Sequence, residues 1–200
     1  MRRLGFLLSI VTLILFGLFS FHTSSDTLYS KPAQDQTITW MTFEEAMAAV
    51  KLEKRKVLIS VHTEWCSWCK HMDKTTFQDP NIIKFINEKF YAVKLDAEQK
   101  EDITTPEKVY KFEKGEGKER GFHQLAIALT MGRLTLPSTV FLDENFRILQ
   151  PIPSYKDPKT FEMIMTYYGD DHFKNTPWTV YQKTYIPLKK PEPVLIIDDD

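Results

Sequence analysis

One local arrangement constrains this chain more than any other: the run Val57-Leu58-Ile59-Ser60-Val61-His62 is followed closely by Cys66-Ser67-Trp68-Cys69. A short, mostly apolar run rich in branched residues suits a strand covered on both faces. The segment after it reads as the start of a helix. Two residues between the cysteines let them face each other across its first turn, so a disulfide closes with little backbone movement. Cys66 then stands at a helix amino terminus, where unpaired N–H groups and the macrodipole stabilise an anion and lower a thiol pKa. Cys66 is the expected nucleophile. Cys69, shielded one turn inside, is expected to resolve the mixed disulfide.

Composition narrows the chemistry further. Only two of the 200 residues are cysteine, which excludes a disulfide framework and a four-cysteine zinc cage. Cys66, Cys69 and His71, with or without His62, still form a set of soft ligands, so a copper- or zinc-binding module or metallochaperone is the alternative reading. The redox reading itself needs no cofactor. Basic and acidic residues number 26 and 27, for a net charge of −1, and no basic run exceeds Lys54-Arg55-Lys56. Nucleic acid is therefore not an expected partner. A hydrophobic content of 42% describes one ordinary globular domain.

Along the chain, Met1-Arg2-Arg3 precedes an uncharged apolar stretch from Leu4 to Phe21. This pattern fits an export signal or a membrane anchor over 1–25, and its length lies where the two overlap. Residues 26–36 read as a polar tether and 37–150 as the main domain. Thr42-Phe43-Glu44-Glu45 has capping-box spacing before a first amphipathic helix, and Asp79-Pro80 opens a second. Tyr91–Leu95 and Ser138–Leu142 read as strands, with Phe146–Leu149 as a partner of the latter. Between Glu98 and Arg120, 13 of 23 residues are charged, which predicts a solvated insertion with a short helix starting at Thr105. Residues 121–131 predict another helix. Asp157-Pro158 and Thr176-Pro177 predict capped helices in a carboxy-terminal extension over 151–186, followed by a loose acidic tail over 187–200. Trp40 and Trp178 are expected to pack in the core or against helices, and Trp68 to pack or to face a partner.

Two motifs in order resemble the thioredoxin superfamily, in particular exported thioredoxin-like proteins of the bacterial envelope. Lys56 to Lys70 is similar to the family's central strand and active-site motif. Thr135-Leu136-Pro137-Ser138-Thr139-Val140-Phe141-Leu142-Asp143 is similar to its cis-proline loop and the strand that follows. The resemblance runs from about Trp40 to Gln150. It implies an α/β thioredoxin fold with a central mixed sheet flanked by helices, and a cis Pro137 that faces the cysteines and leaves a backbone edge for substrate. Leu136 and Trp65 would help to shape that surface. It also implies protein thiols or disulfides as substrates, and an upstream redox partner in the membrane. The family's buried acid six residues before the first cysteine is replaced by Ser60. Glu64 and His62 are the nearby candidates for a proton relay, and the Ser67-Trp68 pair leaves the direction of electron flow open.

Overall fold

The structure is a computed structural model that describes residues 37–189, except 116 and 118. The expected export segment, the tether and most of the acidic tail lie outside the described residues. No helix among the described residues is long and apolar enough to cross a membrane.

Five strands form the central sheet: β1 (Trp40–Met41), β2 (Lys56–His62), β3 (Phe90–Asp96), β8 (Ser138–Leu142) and β9 (Ile148–Pro153). Their order is β1-β3-β2-β8-β9. β3 runs parallel to both β1 and β2, whereas β8 is antiparallel to β2 and to β9, so the sheet is mixed as expected. β2 is central and buried from Lys56 to Val61. Its alternation sends Val57, Ile59 and Val61 to one face and Leu58 to the other. The first face packs on helix α1 (Phe43–Leu52) through Phe43, Ala46 and Val50, and on helix α4 (Gln124–Leu129) through Leu125, Ala126 and Leu129. The second face packs on α2 (Ser67–Lys74), α3 (Pro80–Lys89) and α5 (Pro158–Gly169), with Met72, Ile82, Ile86 and Phe161 buried between them. A last helix, α6 (Trp178–Thr184), follows α5.

Local chemistry sets the helix starts. Thr42 and Glu45 complete the capping box, and Asp79 and Asp157 cap helices whose first residue is proline. Thr176 does not cap α6. Its N–H donates to the His172 carbonyl at 2.9 Å and its own carbonyl accepts the Tyr167 hydroxyl at 2.7 Å, so Pro177 takes the cap position without a side-chain bond.

Among its described residues the charged insertion holds no helix. It folds into two small hairpins, β4 (Ile103–Thr104) with β5 (Val109–Tyr110), and β6 (Phe112–Lys114) with β7 (Gly121–His123). The Thr105 hydroxyl accepts from the Lys108 N–H at 3.2 Å and donates to its carbonyl at 3.0 Å. Such a hydroxyl serves a turn as readily as a helix cap. The predicted helix over 121–131 is likewise shorter, because 121–123 pair as β7. β9 begins two residues after Phe146 and runs past position 150, the expected end of the main domain, to Pro153. Trp40 packs edge-on against Phe77 at 5.1 Å, and Trp178 against Tyr167 at the same distance, both as expected.

Candidate active site

The register of the sheet brings the two motifs together. Val61 pairs with Ser138 in the antiparallel ladder, so the chain leaving β2 toward Cys66 runs beside the chain entering β8 from Leu136 and Pro137. This is the carboxyl end of the parallel pair β2 and β3, where ligand sites of open α/β sheets form. The Leu136–Pro137 peptide bond is cis, as the family resemblance implied.

Cys66 is the amino-terminal cap of α2. Its N–H donates to the Thr63 carbonyl at 3.2 Å, and its Sγ accepts the Cys69 N–H at 3.1 Å. Cys66 and Cys69 form a disulfide with sulfurs 2.10 Å apart and Cα atoms 5.2 Å apart. Both residues are buried, at 5% and 4% exposure, so shielding is not confined to Cys69. In the reduced state the backbone donor on Sγ and the α2 amino terminus would favour a Cys66 thiolate.

A cavity of about 340 Å³ opens on Cys66, lined by Trp65, Cys66, Ser67 and Trp68 on one side and by Phe122, Leu134 and Leu136 on the other. Trp65 is half exposed. Its Nε1–H donates to the Glu98 carboxylate at 3.0 Å, and the Arg120 guanidinium lies 4.5 Å from the ring centre. Trp68 is exposed and forms a surface cluster with His71 and Tyr155, at ring distances of 5.5 and 5.4 Å.

The remaining predicted residues fall into three environments. Ser60 is buried on β2 between Lys94 and Thr139, so no acid occupies that position. His62 is half-buried at the end of β2. Burial, followed by the Lys94 charge, holds its imidazole below the ordinary range. Glu64 is exposed in the turn before Trp65. His71 is an exposed partner of the Trp68 and Tyr155 rings. Among the described residues, no group of three His, Cys, Asp or Glu side chains is arranged to hold a metal ion, and the metal reading gains no support.

Glu98, Arg120, Phe122 and Tyr155 are contributions that the sequence did not announce. A signal for the first three existed: an insertion that leaves β3 and returns toward β8 starts and ends at the same edge of the sheet as Cys66.

Together the sheet, the disulfide at the helix start and the cis-proline loop define a thioredoxin-fold protein with a Cys-x-x-Cys site. Residues 21–150 match the family model Thioredox_DsbH, described as a protein of unknown function, DUF255, and the chain belongs to that family. Among curated proteins, it is 34% identical over 67 residues to mouse spermatogenesis-associated protein 20, a match covering 34% of this chain and 8% of that protein. It is 31% identical over 67 residues to the Caenorhabditis elegans uncharacterized protein B0495.5, covering 33% of this chain and 9% of that protein. The match thus spans less than a tenth of either relative. Among solved structures, a DsbH oxidoreductase superposes with a TM-score of 0.50 at 17% identity, covering 74% of this chain and 95% of that one. A thioredoxin-fold protein from Helicobacter pylori does so with a TM-score of 0.50 at 14% identity, covering 76% and 89%. At these identities the likeness concerns the fold.

Proposed function

We propose that this protein is a thiol–disulfide oxidoreductase that acts on protein thiols or disulfides through Cys66 and Cys69. The observation that carries this reading is the Cys66–Cys69 disulfide at the amino terminus of α2, with Cys66 Sγ accepting a backbone N–H and facing an open, largely apolar cavity. In the reducing direction the Cys66 thiolate attacks one sulfur of a substrate disulfide. A mixed disulfide forms and the first substrate thiolate leaves. The Cys69 thiolate then attacks Cys66 Sγ, the second substrate thiolate leaves, and the enzyme disulfide closes. Two electrons have passed to the substrate. The reverse sequence oxidises a substrate dithiol. In either direction a redox partner must restore the starting state, and Leu136 and Pro137 orient an extended substrate segment beside Cys66.

The site of action in this reading is the cell envelope. What supports it is Arg2-Arg3 followed by the uncharged stretch from Leu4 to Phe21, which suits export with or without retention as an anchor. A membrane redox partner would then be within reach.

Cys69→Ser should trap a mixed disulfide between Cys66 and substrate protein, whereas Cys66→Ser should trap none and reduce no insulin disulfide. A Cys66 pKa near the free-thiol value of about 8.5, together with no turnover, would overturn the reading. The midpoint potential of the couple assigns the direction: about −270 mV marks a reductase and about −120 mV an oxidant.

A further inference from the structure

Resting on the oxidoreductase reading, we infer that Glu98 and Arg120, at the two ends of the charged insertion, are positioning residues that hold the Trp65 indole at the rim of the Cys66 cavity and so set the affinity for a polypeptide substrate. Trp65 lies in a turn immediately before the cap of α2 and is 49% exposed. No aromatic neighbour fixes its ring among the described residues. What does fix it is polar and comes from far along the chain. The Glu98 carboxylate accepts the indole N–H at 3.0 Å, and the Arg120 guanidinium sits 4.5 Å above the ring. Glu98 and Arg120 also approach each other at 3.7 Å, closing a three-membered contact around the indole.

Both ends of this clamp are anchored by backbone. The Glu98 N–H donates to the Asp96 side chain at 2.9 Å, in a turn tied to the end of β2 by the Ala97 N–H to the His62 carbonyl at 2.8 Å. The His123 N–H donates to the Ala97 carbonyl at 2.7 Å, which joins the start of the insertion to its end. Arg120 precedes Gly121, whose backbone passes so close to β6 that a Cβ there would lie 2.5 Å from the Glu113 carbonyl oxygen. The insertion therefore delivers a carboxylate and a guanidinium to fixed points beside the nucleophile's neighbour. Neither group touches a sulfur, so the clamp acts on the substrate's route to Cys66. An indole held in one orientation loses less rotational freedom when a chain packs on it than an unrestrained one.

The test compares Glu98→Ala and Arg120→Ala with wild type in the reduction of insulin disulfides, with dithiothreitol as electron donor. A parallel measurement follows dithiothreitol reduction of the Cys66–Cys69 disulfide without insulin. Each alanine variant should raise the KM for insulin about threefold to tenfold, the scale of ordering one side chain on binding. kcat and the direct dithiothreitol rate should stay within about twofold of wild type. Acrylamide quenching assigned to Trp65 by difference from Trp65→Phe should increase in both. Glu98→Gln, which keeps an acceptor, and Arg120→Lys, which keeps a cation, should lie nearer wild type. Unchanged KM and quenching in Glu98→Ala would overturn the clamp, as would a dithiothreitol rate that falls in step with insulin reduction. A wild-type protein inert to both dithiothreitol and insulin would instead overturn the oxidoreductase reading, and the quenching comparison would still decide the clamp.

Discussion

The His123 imidazole is fully buried and joins two elements through one ring nitrogen: Nδ1 accepts the Leu125 N–H at 3.3 Å and so caps α4 at the end of β7. Only a neutral imidazole can accept there. Burial lowers the His123 pKa, and it outweighs the opposing influence of the Glu101 and Tyr110 backbone and of the Asp102 carboxylate. With the folded value below the unfolded one, the unfolded chain binds the proton first as pH falls. His123 therefore contributes its full stability above about pH 6.5, the unfolded value, and loses it as pH drops toward the folded pKa. Denaturant titrations between pH 7 and pH 5 should show a midpoint that falls with acid. His123→Asn, which keeps a capping acceptor but does not titrate, should remove the part of that slope due to this group. The same residue marks a limit of what a sequence reveals. The pairing of Cys66 with Cys69 was legible because two intervening residues after a strand let a disulfide close, and the cis Leu136–Pro137 bond because the family resemblance implied it. His123 was not, since its burial depends on hairpins that carry no strong local signal.

At the scale of elements, the helices with an Asp-Pro start and the β2 strand were legible, because cap, proline and apolar run agree with one another and with the fold. The charged insertion was not. Thr105 offers the same hydroxyl to a turn as to a helix, and only the pairing of Ile103 with Tyr110 and of Phe112 with His123 decides between them. Gly121 is where that hairpin architecture meets the site. Its missing side chain lets β7 approach β6, and it stands between Arg120, over the Trp65 ring, and Phe122, in the wall of the Cys66 cavity. Gly121→Ala would set a Cβ 2.5 Å from the Glu113 carbonyl oxygen and 2.9 Å from the Lys114 Cα. These are backbone atoms, so the hairpin itself must open. The substitution should cost about 1–3 kcal/mol, within the range for inserted atoms at a filled position, read as a lower denaturation midpoint. It should also raise the KM for insulin, because Arg120 and Phe122 shift with the strand. An unchanged midpoint would mean that the β6–β7 pair moves freely at little cost.

On the scale of the whole molecule, the site lies at one end of a sheet whose two faces are both covered, and the second face depends on elements from the carboxy-terminal part. Phe161 and Met165 of α5 are fully buried in it, and Tyr168 stacks on Phe141 of β8 at 4.8 Å. The helical extension expected from the sequence thus contributes to the core on that face. Its last described segment is held by one buried carboxylate. Glu162 accepts the Tyr185 hydroxyl at 2.5 Å, the Leu188 N–H at 3.0 Å and the Asn81 amide at 3.2 Å, drawing α3, α5 and the chain after α6 to a single point. Burial, then the Glu162 carboxylate, raises the Tyr185 pKa, so the phenol remains a donor throughout the ordinary pH range. Removing the acceptor leaves the Tyr185 and Leu188 donors short of a partner, each costing about 1–3 kcal/mol where water cannot reach it, while the Asn81 amide keeps the Leu188 carbonyl at 3.2 Å. Glu162→Ala should therefore lower stability by about 2 kcal/mol or more in urea denaturation, since part of this segment regains water. Limited proteolysis should open the chain around Tyr185 to Leu188. Glu162→Gln should fall between the two, because its carbonyl oxygen can still accept from Tyr185 and Leu188 while its amide nitrogen faces the Asn81 donor. None of these partners lines the Cys66 cavity. The dithiothreitol reduction rate of the Cys66–Cys69 disulfide should accordingly match wild type in both variants wherever they remain folded, and a rate that fell with stability would mean that the second face of the core also sets the geometry of α2.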